Sequence, residues 1–206
     1  MLEFFIAALV IGIAPGPDNL FVLAQSATYG ARLGFCIILG LCTGIAIHTC
    51  LLVAGVSALI AASPTAFFVI QCLGAAYLLY LAYKSFGVKA GVVQMNGDSL
   101  SEPGMTSARS LYMRGIIMNL TNPKVILFVL SLIPPAVRLD RPIHPSLQMA
   151  IFGGEFILAT MIVFGCIALL AGTVKKFLLT SPKANRNLNW FSGAVFVFLA
   201  VALFFV

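Results

Sequence analysis

Between Arg32 and Lys84 the chain contains no Asp, Glu, Lys or Arg. One helix crosses the hydrocarbon core of a bilayer with about 20 mostly apolar residues. The uncharged stretch is therefore too long for a single crossing, and Ser63-Pro64 divides it into two. Across the whole chain only 9% of residues are charged and 61% are hydrophobic, whereas a soluble domain carries about 25% charged residues. With so few charges a folded chain cannot cover its surface with water-compatible groups, so most of that surface must face lipid.

Scanned for apolar runs of this length, the sequence gives six spans: about Glu3–Ala24, 36–60, 66–85, Tyr112–Ile133, 149–171 and 188–206. The first is broken by Pro15-Gly16-Pro17-Asp18-Asn19, and the fourth is stopped by Pro134-Pro135. The start, Met1-Leu2-Glu3, lacks the positive region of a signal peptide and reads as the first span. Turn residues Asn96-Gly97-Asp98 and Glu102-Pro103-Gly104 mark residues 87–110 as an exposed connector. The expected fold is all-α, an integral membrane bundle of six transmembrane helices in a single domain, 1–206.

The net charge of +6 does not point to nucleic acid, because the basic residues sit in short connectors rather than on one stripe. Such connectors set topology and meet anionic lipid. Arg32, Lys84, Lys89, Arg109, Arg114, Lys175, Lys176, Lys183 and Arg186 fall on one side, and only Arg138 and Arg141 on the other. The excess of Lys and Arg places the first group in the cytoplasm and both termini outside. Tyr83, Tyr112 and Trp190 fall near the cytoplasmic ends, as an interfacial aromatic belt would. Cys36, Cys42, Cys50, Cys72 and Cys166 all lie in apolar segments without C-x-x-C spacing. They read as small buried residues, with no metal site and no cofactor.

The two halves resemble one another. Pro17-Asp18 and Pro123-Lys124 lie at similar depths, each followed by Leu-Phe-Val-Leu, at 20–23 and 127–130. Gly74-Ala75 matches Gly193-Ala194. An odd number of helices per unit makes the second unit enter from the opposite side, so residues 1–86 and 111–206 are expected to form a 3+3 inverted repeat with helices 1 and 4 broken by Pro.

Pro15, Gly16 and Pro17 disrupt helical bonding inside a span. The freed carbonyls must face protein or a water-filled cavity. The half-helix that follows, with Asp18 and Asn19, presents a positive dipole end suited to a carboxylate. Asn119-Leu120-Thr121-Asn122-Pro123-Lys124 repeats the pattern with opposite charge. Lys124 lies roughly 15 Å deep at 1.5 Å per residue, too far for easy snorkelling, and its expected partner is Asp18. Glu155, beside Gly153-Gly154, is a costly intramembrane carboxylate of the kind that marks a proton or ion path. His48 is suited to relaying protons or bonding a substrate, and Gln71 is a candidate lining residue. Gly40-x-x-x-Gly44 permits close helix approach, within the chain or in a homodimer.

Pro-Gly-Pro-Asp-Asn at 15–19, Gly-Ile-Ala-Ile-His at 44–48, Leu-Gly-Ala-Ala-Tyr-Leu-Leu-Tyr-Leu at 73–81 and Asn-Leu-Thr-Asn-Pro-Lys at 119–124 resemble, in order and spacing, the LysE superfamily of amino-acid exporters. The likeness is greatest to its homoserine/threonine-resistance branch. The resemblance implies a bacterial inner-membrane exporter of amino acids or close derivatives, driven by proton exchange. It carries over to Pro15, Gly16, Pro17, Asp18, Asn122, Pro123 and Lys124. Leucine, threonine, lysine and cysteine stand beside homoserine as substrates it allows.

A passive channel or a non-transport intramembrane protein is the alternative. Paired reactive cysteines and clustered His and carboxylates are absent from the sequence, which argues against a redox carrier or a membrane hydrolase. The expected partners are an amino-acid substrate, protons and membrane lipid, and no nucleic acid.

Overall fold

The structure, a computed structural model, describes residues 2–14, 16–62, 64–87, 107–138, 140–173, 182–202 and 204. It is an all-α membrane helical bundle, without strands among the described residues. In chain order the helices are α1 (Leu2–Ile13), α2 (Pro17–Tyr29), α3 (Ala31–Ala62), α4 (Pro64–Gly87), α5 (Ala108–Thr121), α6 (Pro123–Ala136), α7 (Pro145–Leu169) and α8 (Pro182–Ala202).

Proline punctuates this order. α2, α4, α6, α7 and α8 each begin on one. The first helical position tolerates Pro because its amide has no partner there and φ is already set. This explains why α4, α7 and α8 start earlier than hydropathy alone suggests. Pro134 and Pro135 do not stop α6 before them; both sit in its last turn, and the helix runs on to Ala136. Between α2 and α3 the chain turns at Gly30, whose φ of 89° suits a residue without a Cβ.

Ala31–Gly55 of α3 and all of α7 are long and apolar enough to cross a membrane alone. α1 with α2, bent by 62°, and α5 with α6, bent by 58°, each qualify as one broken span. α4 and α8, of 24 and 21 residues, exceed the ~30 Å hydrocarbon thickness at about 1.5 Å per residue.

α3 and α7 run through the centre, packed on each other. α5 lies against α3, α1 lies against α7, and α4 pairs with α8 at the side. One apolar cluster gathers Phe4, Phe128, Phe152 and Phe156, with ring centroids 4.7–5.7 Å apart in successive pairs. A second gathers Phe21, Ile37, Ile38, Leu41, Leu111 and Phe164. Trp190 stacks edge-on against Phe86 at 5.4 Å, and both it and Tyr83 are exposed, as belt residues should be.

The α3–α5 contact is made backbone to backbone. A Cβ on Gly40 would lie 2.9 Å from the Gly115 Cα, and one on Gly44 would lie 2.7 Å from the Asn119 Cβ. The small-residue pair Gly40 and Gly44 is thus spent inside the chain rather than on a second copy. Gly115→Ala would drive a methyl into the Ile37 backbone carbonyl and to 3.1 Å from Gly40 Cα and Leu41 N, atoms that cannot rotate away. It is expected to cost about 1–3 kcal/mol, read as a lowered thermal midpoint of the purified protein in detergent. Gly154→Ala, whose Cβ meets nothing within 4 Å, is expected to stay within about 0.5 kcal/mol.

Candidate functional site

The two helix breaks face each other. At the first, Pro17 supplies no amide hydrogen to the carbonyl one turn back, and the polar groups left over find side chains. Asn19 Nδ2 donates to Gly12 O at 2.7 Å, and Lys124 Nζ donates to Ala14 O at 2.7 Å. The lysine that sequence alone pairs with Asp18 thus spends a hydrogen bond on the backbone of the broken helix. Pro15 lies outside the described residues.

At the second break Asn122 caps α6. Its Oδ1 accepts from Lys124 N at 3.0 Å, and its Nδ2 donates to Asp18 Oδ2 at 2.8 Å. Asp18 and Lys124 line one cavity, but Asn122, not Lys124, makes the hydrogen bond to Asp18. Each charge sits in the first turn of its half-helix. That position favours Asp18 and disfavours Lys124; the Ala14 carbonyl and the nearby carboxylate offset the latter. Asp18 is 5% exposed, Asn122 5% and Asn119 2%.

These groups line a cavity placed where the two apolar clusters meet. Its polar lining is Asp18, Asn19, Asn119, Asn122, Lys124 and Thr160. Ile11, Leu41, Ile45, Val125, Phe128, Phe156 and Phe164 form the apolar wall. One carboxylate oxygen of the lining, Asp18 Oδ1, is buried without a hydrogen-bond partner, whereas Asn119 Oδ1 packs against Gly44 of α3. A buried acceptor left open costs about 1–3 kcal/mol, so Asp18 Oδ1 is poised to take a donor. The cavity offers one donor-only cation, one open carboxylate oxygen and an apolar wall, which complement a dipolar ion with an apolar tail.

The other residues singled out in the sequence stand differently. His48 Nε2 lies 3.4 Å from Asn119 O and supports α5 from behind the cavity. Glu155 does not line the cavity, although its Oε2 is buried without a hydrogen-bond partner. Gln71 lies in α4, and its side chain is outside what the structure describes. Gly16 flanks the site: a Cβ there would lie 3.6 Å from Lys124 Nζ. Pro123 opens α6. Sequence reasoning missed Phe156, Thr160 and Phe164, which recur every fourth residue on α7. That spacing marks one helical face.

Asn122→Ala would remove both the cap and the bond to Asp18, for an expected loss of about 1–3 kcal/mol. Asn122→Asp retains the capping oxygen but puts an acceptor against Asp18 Oδ2. Thermal unfolding of the two variants in detergent should therefore separate the cap from the cross-helix bond.

The family model for LysE type translocators matches residues 9–205 of the chain. An uncharacterized membrane protein, YrhP, of Bacillus subtilis (strain 168) is 31% identical over 196 residues, covering 93% of this chain and 91% of its own. An uncharacterized membrane protein of Vibrio cholerae is 29% identical over 196 residues, covering 95% and 92%. A leucine efflux protein of Salmonella choleraesuis is 30% identical over 200 residues, covering 97% and 92%. No solved structure gives a significant match. The chain belongs to the LysE type translocator family and is a membrane transporter, not an enzyme.

Proposed function

We propose that this transporter exports neutral amino acids with apolar side chains across the bacterial inner membrane in exchange for protons. The observation that carries the reading is the cavity, with the unpartnered carboxylate oxygen Asp18 Oδ1, the Lys124 ammonium and an apolar wall. An α-amino acid is complementary to it. The carboxylate meets Lys124 Nζ, the ammonium meets Asp18 Oδ1, and the side chain lies against Phe128, Phe156 and Phe164. A relative named for leucine efflux supports the same substrate class. Threonine and homoserine, favoured by the sequence resemblance, fit the charged end equally, but their hydroxyl would meet mainly apolar wall.

The neighbour pattern supports an inverted repeat of three spans each, with α1, α2, α3 and α4 equivalent to α5, α6, α7 and α8. Under that exchange the α1–α7 contact becomes α5–α3, and α2–α7 becomes α6–α3; all four are present. The α3–α7 and α4–α8 contacts map onto themselves, whereas α4–α6 and α1–α8 have no comparable counterpart among the described residues. Such a repeat places the site between two bodies that can rock about it. The basic connectors would face the cytoplasm and both termini the outside.

The test is efflux from proteoliposomes loaded with labelled leucine, threonine, homoserine or lysine, or with homoserine lactone, with and without an imposed pH gradient. Accelerated, saturable loss of leucine, abolished when the gradient is collapsed, is expected. Lys124→Met should slow it at least tenfold, equivalent to about 1.4 kcal/mol of lost substrate interaction. Flux that is non-saturable and indifferent to the gradient would identify a passive channel instead.

A further inference from the structure

The side-chain amide of Asn122 has two ends with different neighbours. The backbone N–H of Lys124 can only donate, so the Asn122 atom 3.0 Å from it is the oxygen, and the amide cannot be turned round. The NH₂ end therefore faces Asp18 Oδ2 at 2.8 Å and donates to it. That commits Oδ2 as an acceptor. The other carboxylate oxygen, Oδ1, is buried without a hydrogen-bond partner in a residue that lines the cavity. Lys124 Nζ donates to Ala14 O. Asp18 thus has one oxygen open, and Asn122 determines which.

We propose that Asp18 Oδ1 is occupied in turn by a proton and by the substrate's ammonium group, which exclude each other at that atom. Asn122 is the positioning residue that leaves only this oxygen free. The inference rests on the amino-acid exporter reading and adds its coupling step. A protonated Asp18 carboxyl meets a substrate ammonium, the O–H bond breaks, one proton leaves to water, and a carboxylate–ammonium pair remains. No other bond changes and no electrons are transferred.

The surroundings suit such a competition. Among the described residues Lys124, from α6, is the only charged side chain besides Asp18 lining the cavity. α1, α3, α5 and α7 face it with aliphatic, aromatic, amide or hydroxyl groups. The titratable residues of α3 and α7 singled out earlier, His48 and Glu155, lie off the cavity. Arg114 of α5 lies 5.9 Å from the centre of the Phe21 ring of α2. Where protons are abundant, Asp18 Oδ1 is protonated and substrate is expelled; where they are scarce, the oxygen is free to receive it. A proton-rich exterior therefore drives export, one proton for each amino acid.

The experiment is calorimetric binding of L-leucine to the full chain in lipid nanodiscs, between about pH 5 and 8, in pairs of buffers with different ionisation enthalpies. Below the midpoint, binding should release about one proton, and Kd should rise about tenfold per unit fall in pH. 4-Methylpentanoate, the leucine skeleton without its ammonium, should release none. Asp18→Asn should abolish both the release and the pH dependence, whereas Glu155→Gln should retain both. If Asp18→Asn does not fold, the comparison of leucine with 4-methylpentanoate on the unaltered chain decides. Leucine binding without proton release overturns the proposal and leaves the exporter reading standing. Loss of release in Glu155→Gln also overturns it, moving the proton to α7. A folded chain that neither binds nor exports any amino acid of the panel removes both readings.

Discussion

A backbone carbonyl that loses its helical partner in lipid has no water to turn to. The rest of this structure depends on how that constraint is met at Pro15-Gly16-Pro17. Two side chains supply the donors: Asn19 reaches back to Gly12 O, and Lys124 reaches across from α6 to Ala14 O. The second bond ties the break in one half of the chain to the break in the other. With Asn122 donating to Asp18 and His48 beside Asn119 O, three polar contacts at the centre join the two halves.

This arrangement has an energetic meaning. The charges of Asp18 and Lys124 are held without saturating every hydrogen-bonding position around them. Buried polar networks that are fully satisfied rigidify a core; one with an open carboxylate oxygen stores a demand for a donor that a ligand can meet. The apolar clusters on either side supply the rigidity, through the Phe4, Phe128, Phe152 and Phe156 rings and the backbone contact of α3 with α5. Firm packing thus surrounds an incomplete polar centre, as a binding site requires.

Much of this was readable from residue order. Hydropathy gave the bundle, and Pro-plus-charge elements gave both breaks and the two charges at their centre. The prolines at 64, 145 and 182 mark helix starts that hydropathy placed several residues late, because propensity at the first turn acts outside the apolar run. The role of Asn122 as bridge was not readable, since it depends on the 58° bend that turns α6 toward α2. Nor was the side of α7 that faces the cavity. Burial cost drew attention to Glu155, while the cavity face carries Phe156, Thr160 and Phe164. The partner of Gly40 and Gly44 was equally hidden, because a small-residue motif states that something comes close without saying what.

The cavity's charged and apolar linings come largely from different parts of the chain. The charged lining is built on the helix breaks, where Asn19, Asn122 and Lys124 also hold up the backbone; much of the apolar lining is ordinary helix face on α3 and α7. Replacing Phe164 or Leu41 would reshape the space for a side chain without disturbing a single bond at the breaks. Cargo can therefore drift over evolutionary time while the machinery of exchange stays fixed, so that relatives sharing the broken helices need not share a metabolite.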